Sequence, residues 1–371
     1  MSLSVVTRRQ FISGLLISGA AGAGGSLLSG CGRTANTPLL SVARNRKGDY
    51  SIRIFSGEVF QQFTLPIPAR AHGISLHPLG QTAVCHDRRP GRRMYVVDLE
   101  TRSLIHTLSA EDNRHFFGHG VFSPDGDWLY TTENNYESGH GVIGVYNTVT
   151  WKREAELSSH GVGCHQLCLH PDGKTLVVAN GGILTHPETP RKKLNLDTMF
   201  PSLSYVDRQT GELLEEQRFG HHQLSIRHLD VSPDGTVVFG AQYQGEKTDI
   251  HPLVGMHRRG ESVQAMNGSD EHWLSLGQYV ASVACFPDNQ TAVITSPRGN
   301  IVQFWDLASR SLLRRFPVRD VAGIAVTGVN SAIVSNGLGE LISYQRVGDD
   351  VSETSRIHYP DTSWDNHMIS A

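Results

Sequence analysis

Five histidines recur along the chain at intervals that can place them at equivalent points of a repeated structure. Each lies at the start of, or within, a short run of alternating apolar residues; the five are His72, His119, His165, His228 and His367. Neutral imidazole binds iron, copper and zinc. If the runs converge on one axis, the rings can hold a transition metal (Fe, Cu or Zn), a haem or an anionic ligand. The alternative is structural, with each ring hydrogen-bonded to a neighbouring strand or to channel water.

The histidine-bearing runs belong to a repeat of six segments. Each segment has an apolar strand, a turn of the Pro-Asp-Gly type and a second apolar strand. This turn is tight, because Pro presets φ, Asp bonds its own backbone and Gly accepts a positive φ. Two further strands follow in each unit, which predicts the four-stranded blades of a β-propeller. The segments start 47, 46, 63, 53 and 41 residues apart, at His72, His119, His165, His228, Ala281 and Ala322.

The two ends of the chain complete the ring. Residues 39–65 contain three strand-like runs without a first strand, whereas "WDNHMIS" near the C-terminus has the pattern of a first strand. In that segment His367 lies 45 residues after Ala322, in register with the other starts. We therefore expect an all-β, seven-bladed propeller over residues 38–371. The C-terminal strand joins the N-terminal strands, so no strand edge stays open at the seam.

One face of this propeller is predicted to carry the function. The inner strands start on this face, and the loops from the second to the third strand return to it. These loops have polar, Gly-rich sequences such as "CHDRRPGRR". Candidate additional ligands, or partners that fix a histidine tautomer, are Glu133, Asn134, Cys164, Asn180 and His186. Basic residues that can bind a carboxylate or phosphate, or else brace adjacent loops, are Arg227, Arg298, Arg191, Lys192 and Lys193.

The first 31 residues have the pattern of an export signal. Arg8 and Arg9 precede a Gly- and Ala-rich apolar run, as in twin-arginine signals, and Leu28-Ser29-Gly30-Cys31 resembles a lipobox. We expect Cys31 to be lipidated and residues 32–37 to be a short tether. Because Gly32 stands where a retention signal has Asp, the expected location is the periplasm, anchored in the inner leaflet of the outer membrane.

Composition narrows the range of partners and chemistries. The formal net charge is −3 and the basic residues are dispersed, which disfavours nucleic acid. No Gly-x-Ser-x-Gly or His-Glu-x-x-His motif occurs. The chain is expected to be a monomer. Four cysteines beyond Cys31 are too few and too scattered for a disulfide scaffold, although their redox state stays open: Cys85, Cys164, Cys168 and Cys285.

Several segments resemble a bacterial family of exported propellers grouped as domain of unknown function 1513. The resemblance rests on "GHGVFSPDG", "TENNYESGHGVIGVY", "VANGGILTHPETPRKKLNLDTM", "SIRHLDVSPDG", "QYQG", "SPRGN" and the terminal "WDNHM". Around His165 the family usually reads Pro-His-Glu, where this chain has Cys164-His165-Gln166. The family's association with imelysin-type iron-regulated lipoproteins and a haem-containing thiol oxidoreductase-like protein implies a periplasmic role in iron handling.

Three functions remain compatible with the sequence. The favoured one is a lipid-anchored periplasmic protein that binds a metal or metal-containing ligand, iron first, as an accessory to uptake with partner lipoproteins. The second is a scaffold that docks those lipoproteins through its loops. The third is a metal-dependent hydrolase or oxidoreductase, which requires an open coordination position and a base such as Glu133. The lack of a catalytic motif makes an enzyme the less favoured prediction.

Overall fold

The computed structural model describes residues 38–56, 61–189 and 192–370. The predicted export signal, with Cys31, and the tether lie outside these residues, as does Arg191. The described chain forms seven sheets of four antiparallel strands, which are the seven blades of a β-propeller. The predicted fold class is therefore confirmed.

Blades 1 to 6 follow the chain, each running from its innermost to its outermost strand. Blade 1 comprises β4 (Ala71–Leu76), β5 (Thr82–Asp87), β6 (Arg93–Asp98) and β7 (Ser103–Ser109). Blade 2 comprises β8 (Arg114–Phe122), β9 (Trp128–Asn135), β10 (His140–Asn147) and β11 (Lys152–Ser158). Blade 3 comprises β12 (Cys164–Leu169), β13 (Thr175–Asn180), β14 (Ser202–Asp207) and β15 (Leu213–Gln217).

The second half of the ring repeats this order. Blade 4 comprises β16 (Leu224–Val231), β17 (Val237–Tyr243), β18 (Val254–His257) and β19 (Gln264–Ala265). Blade 5 comprises β20 (Ser282–Cys285), β21 (Thr291–Ser296), β22 (Ile301–Asp306) and β23 (Leu312–Pro317). Blade 6 comprises β24 (Val321–Gly328), β25 (Ser331–Asn336), β26 (Glu340–Val347) and β27 (Asp350–His358). A 3₁₀ turn (Leu196–Thr198) lies in blade 3, and α1 (Asp270–Ser275) connects blades 4 and 5.

Blade 7 closes the ring with strands from both ends of the chain. Its inner strand is β28 (Ser363–Ser370), which pairs with β1 (Leu39–Arg44), followed by β2 (Tyr50–Ser56) and β3 (Gln61–Ile67). In the register, Leu39 faces Ser370 and Arg44 faces Ser363. The closure predicted from the two chain ends is confirmed.

The short turns of the repeat act as their residue types predict. In the first turn of blade 2, Asp125 accepts the backbone N–H of Asp127, and Gly126 has a φ of +80°. The same turn in blade 4 places Gly235 at a φ of +86°. These turns return the chain over one face with few residues, so the longer loops gather on the other face.

Apolar side chains between neighbouring blades form the core. In blade 5 the run "IVQFWD" of β22 is buried at all but its last residue, and the Trp305 ring stacks on Trp273 of α1 with centroids 5.3 Å apart. Each buried Val, Leu, Ile or Phe contributes about 1.5–3 kcal/mol through removal of apolar surface from water. This core fixes the blade angles and hence the positions of side chains along the central channel. Within the described residues, no helix is long and apolar enough to cross a bilayer.

Candidate metal centre in the central channel

The histidines lie at irregularities of the inner strands. The pairing of the first and second strands shifts between Ala71 and Ile74 in blade 1, and between Cys164 and Gln166 in blade 3. Similar shifts occur beside the histidines of blades 2, 4 and 7. A β-bulge bends its strand and redirects a side chain. The bulges therefore turn the imidazoles of these five inner strands toward the channel.

The five rings form one cluster across the channel. Nine of the ten ring pairs have centroid separations between 4.5 Å, for His72 and His367, and 6.3 Å, for His72 and His228. His119 touches every other member, with separations of 4.7 to 5.5 Å. His367 is half-buried and the other four are buried. The blade starts at Ala281 and Ala322 bring no histidine and complete the wall with small residues.

Two glycines make this close approach possible. A Cβ on Gly118, whose φ is +105°, would lie 2.8 Å from Cδ2 of His72. A Cβ on Gly73 would lie 2.4 Å from the carbonyl oxygen of Gly118. Any side chain at either position would force the His72 and His119 strands apart. The close approach of the histidines in blades 1 and 2 thus requires glycine at both positions.

Hydrogen bonds fix which nitrogen carries the proton in His228. Gln166 donates its amide Nε2 to the carbonyl of Leu229 at 2.9 Å, so its Oε1 is an acceptor. Nδ1 of His228 lies 3.0 Å from that oxygen and must donate to it. The Nε2 lone pair of His228 is then free to bind a ligand. Gln166 performs this role without a carboxylate.

His367 is held in the same tautomer by Ser282. The Ser282 hydroxyl donates to the carbonyl of Asn366 at 3.1 Å and therefore accepts from Nδ1 of His367, also at 3.1 Å. Nε2 of His367 is then an acceptor, and Nε2–H of His72 donates a hydrogen bond to it at 3.3 Å. Two nitrogens bound to one tetrahedral ion at 2.0–2.1 Å are about 3.3 Å apart. This pair therefore has the spacing of two ligands on a single metal.

His165 has the opposite arrangement. Nη1 of Arg227 lies 3.2 Å from Nδ1 of His165, and a guanidinium can only donate. The proton of this neutral imidazole is consequently on Nε2, which is unavailable as a ligand while the contact persists. The cluster thus contains two rings prepared to bind a metal and one ring prepared to donate a hydrogen bond.

Burial keeps the whole cluster neutral at physiological pH. Desolvation lowers the pKa values of four of its members far below the usual 6.5, and mutual repulsion lowers them further: His72, His119, His165 and His228. The pKa of His367 falls to about 4, chiefly through burial. Neutral imidazole is the metal-binding form, so no proton has to be displaced from the cluster at pH 7.

Two triads within the cluster have the spacing of metal ligands. They are His72, His119 and His367, and His119, His165 and His228; in each, the ligand atoms lie within 4.8 Å of one another. Nδ1 of His72 and Nε2 of His119 are buried without a hydrogen-bond partner among the described residues. Because buried polar nitrogens normally have partners, the unpaired Nε2 of His119 indicates space for a ligand.

The cluster separates two cavities of the channel. The cavity on the loop face measures about 530 Å³ and is bordered by Arg88, Arg89 and Arg227 together with three of the histidines. The cavity on the opposite face measures about 660 Å³ and includes Asp230 and Cys168. A ligand reaches the imidazoles from either side, but through different electrostatic surroundings.

The structure keeps Glu133 away from this centre. Its carboxylate is buried within blade 2, where it pairs with Arg153 at 3.0 Å and accepts hydrogen bonds from Thr131 and Tyr146. The sequence interpretation of Glu133 as a base beside the histidines therefore has no geometric support. Its position at the end of a second strand suggested the loop face, but the side chain points between strands.

The other supporting candidates also serve the blades and loops. The amide of Asn134 contacts Nε2 of His115 at 3.1 Å, and that of Asn180 donates to the carbonyl of Ser159 at 2.8 Å. Cys164 is a buried free thiol whose pKa is raised by burial. His186 packs edge-on against Tyr136 with centroids 5.4 Å apart.

Arg298 belongs to the loop face but not to the cluster. Its guanidinium lies 4.5 Å from the centroid of the Tyr279 ring, and it borders two cavities next to the histidine-lined one. Of the basic candidates that the structure describes, Arg227 is the one in contact with a clustered histidine. Cys85, Cys168 and Cys285 are free thiols like Cys164.

Sequence reasoning missed the residues that orient the imidazoles. Gln166 is 62 positions from His228, and Ser282 is 85 positions from His367. The only available signal for Ser282 was its place beside the start of a blade that lacks a histidine. The sequence placed Arg88 and Arg89 in a basic loop of the loop face, but it did not predict that they border the channel cavity.

The fold and this centre define a class: a seven-bladed β-propeller whose channel holds a buried histidine cluster able to bind a metal. The sequence profile of a family described as "Protein of unknown function (DUF1513)" matches residues 65–371. The chain belongs to this family, as its resemblance in sequence indicated.

Solved structures share the fold at low sequence identity. Kuenenia stuttgartiensis hydrazine synthase aligns with a TM-score of 0.59 and 14% identity, over 90% of this chain and 99% of that chain. A chain of the Mitotic Checkpoint Complex aligns with a TM-score of 0.56 and 12% identity, over 77% and 79%. These similarities concern the fold alone. A comparison with curated protein sequences finds no match.

Proposed function

We propose that this protein binds a transition-metal ion in its central channel, with His72, His119 and His367 as the ligands. The observation that carries the proposal is the convergence of five neutral imidazoles, two of them with Nε2 atoms 3.3 Å apart. Three imidazole nitrogens with a further open position suit zinc, copper and iron. Iron is the preferred ion because of the iron-handling setting that the family resemblance implies.

The proposed cellular role is accessory to iron uptake. The twin-arginine pattern at Arg8 and Arg9 and the lipobox ending at Cys31 support export to the periplasm and a lipid anchor. A tethered propeller holds its ligand near the membrane and can present it to partner lipoproteins. We propose binding and transfer in preference to catalysis, because Glu133 is engaged by Arg153 inside blade 2.

The proposal is tested by elemental analysis and an absorption spectrum of protein exported through the twin-arginine route. We expect stoichiometric metal in the wild type and its loss in His119→Ala, because His119 belongs to both triads. A Soret band in place of free metal would identify haem as the ligand and exclude a simple ion site.

The matched control is His251→Ala. His251 stacks on His221 in a separate histidine group, with centroids 5.2 Å apart, and this group can bind metal adventitiously. We expect His251→Ala to retain its metal. Equal metal content in all three proteins, or none in any after titration with Fe²⁺ and Zn²⁺, would contradict a channel site. Circular dichroism of His119→Ala checks that the propeller remains folded.

A further inference from the structure

The loop-face cavity above the histidine cluster has a strongly asymmetric lining. Arg88, Arg89 and Arg227 border it, and no carboxylate does so among the described residues. The bordering histidines are neutral because burial lowers their pKa values. The cavity therefore holds three positive charges and no negative charge of its own.

Both carboxylates adjacent in sequence to this lining are already engaged. Asp87, which precedes Arg88, pairs with Arg93 at 3.3 Å. Asp365 precedes Asn366, which borders the cavity. Its carboxylate accepts a bidentate pair of hydrogen bonds from Arg70, with Nη2 to Oδ1 at 2.9 Å. Within the described chain, Arg88, Arg89 and Arg227 form no ion pair with any carboxylate. Other arginines of this protein pair readily, as Arg346 does with Asp288 at 2.8 Å.

Arg227 shows that this is a built site and not a surface accumulation of charge. Its side chain is only 9% exposed, and its Nε has no hydrogen-bond partner among the described residues. Nη1 of Arg89 is likewise buried without a partner. A buried donor of a charged group is costly to leave unpaired.

The electrostatic effect of this arrangement is visible in the arginines themselves. Burial and the charge of Arg89 lower the pKa of Arg227 to about 10. Burial and the charge of Arg88 lower the pKa of Arg89. The three guanidinium groups repel one another, and an anion between them removes that repulsion.

We infer that the cavity binds a small oxyanion with at least two negative charges, a polycarboxylate or a phosphate. Guanidinium groups recognise both through paired, charge-assisted hydrogen bonds. The volume of about 530 Å³ accommodates an anion of this size together with water. The inference does not depend on metal binding, although the site opens directly onto His72, His165 and His228.

The test is isothermal titration calorimetry on protein made metal-free with a chelating resin. Citrate is titrated in one experiment and inorganic phosphate in the other. We expect one of the two to bind, and binding to weaken by about tenfold or more in Arg227→Gln and in Arg89→Gln. Citrate alone identifies a polycarboxylate site, and phosphate alone identifies a phosphate site. Arg88→Gln, at an exposed residue, provides a variant whose folding is not at risk.

Arg102→Gln is the matched control, because Arg102 is an exposed arginine in a turn of the opposite face, over the Phe63 ring. It should bind like the wild type. The inference is overturned if neither anion binds, or if all four variants lose affinity equally, as a non-specific effect of net charge would produce. Loss of metal by His119→Ala with intact anion binding would separate this site from the proposed metal site.

Discussion

The two histidine triads share His119 but differ in what holds their remaining rings. In the first, Nδ1–H of His367 donates a hydrogen bond to Ser282, so the Nε2 lone pair of His367 faces Nε2 of His72 at 3.3 Å. In the second, Arg227 donates to Nδ1 of His165 and places that ring's proton on Nε2. The same residue type at the same point of the repeat therefore has different chemistry in different blades.

The difference shows that the partner of an imidazole decides its role more than its place in the ring does. A neutral acceptor such as Ser282 or Gln166 prepares the opposite nitrogen for a metal. A guanidinium prepares the ring to donate a hydrogen bond and adds a repulsive charge. The first triad is therefore the one that we propose as the metal site, and His165 borders the arginine-lined cavity.

The largest expected effect comes from removing one ring of each triad separately. His367→Ala should weaken Zn²⁺ or Fe²⁺ binding more than 100-fold, beyond the 10–100-fold typical of outer-shell changes. His165→Ala should change the affinity by less than about tenfold. Titration with a competing chelator measures both. Equal losses in the two variants would show that the triads do not differ.

A smaller effect is expected when the orienting partner is removed and the ligand is kept. Ser282→Ala leaves Nδ1 of His367 without its acceptor, so the affinity should fall about 10–100-fold. Ser75→Ala is a suitable control, because Ser75 contacts His86, a buried histidine outside the cluster, at 3.0 Å. An unchanged affinity in Ser282→Ala would mean that the tautomer of His367 is not fixed by this serine.

The smallest expected effect is that of pH on metal binding by the wild type. Protons compete for the ligand nitrogens only near or below their pKa values, and that of His367 is about 4. From pH 7.5 to 5.5 the affinity should change less than about twofold, whereas a site of histidines with the usual pKa loses about tenfold per ligand. A steep loss above pH 5.5 would indicate that the metal binds outside the channel cluster.

The fold was predictable because its signals are repeated. The Pro-Asp-Gly turns, the alternating strands and the fragment "WDNHMIS" each specify local structure, and the ring follows from their number and order. The five histidines could be named for the same reason, since one register gives one position in every blade.

The chemistry of the site was less predictable because it depends on contacts between blades. Gln166 and Ser282 orient histidines of other blades, and their own sequence context does not reveal this. Glu133 illustrates the same limit. Its position near the end of a second strand predicts that it lies on the loop face, but its carboxylate forms an ion pair with Arg153 within the blade. Side-chain direction at the end of a strand depends on local bulges, which a repeat pattern does not specify.

Anomalous diffraction from crystals of the wild-type protein grown with Zn²⁺ or Fe²⁺ locates a bound metal directly. We expect an anomalous peak in the channel within ligand distance of ring nitrogens of His72, His119 and His367, and no bond from the metal to His165. A peak confined to His221, His222 and His251, or the absence of any peak in the channel, would contradict the proposed metal site.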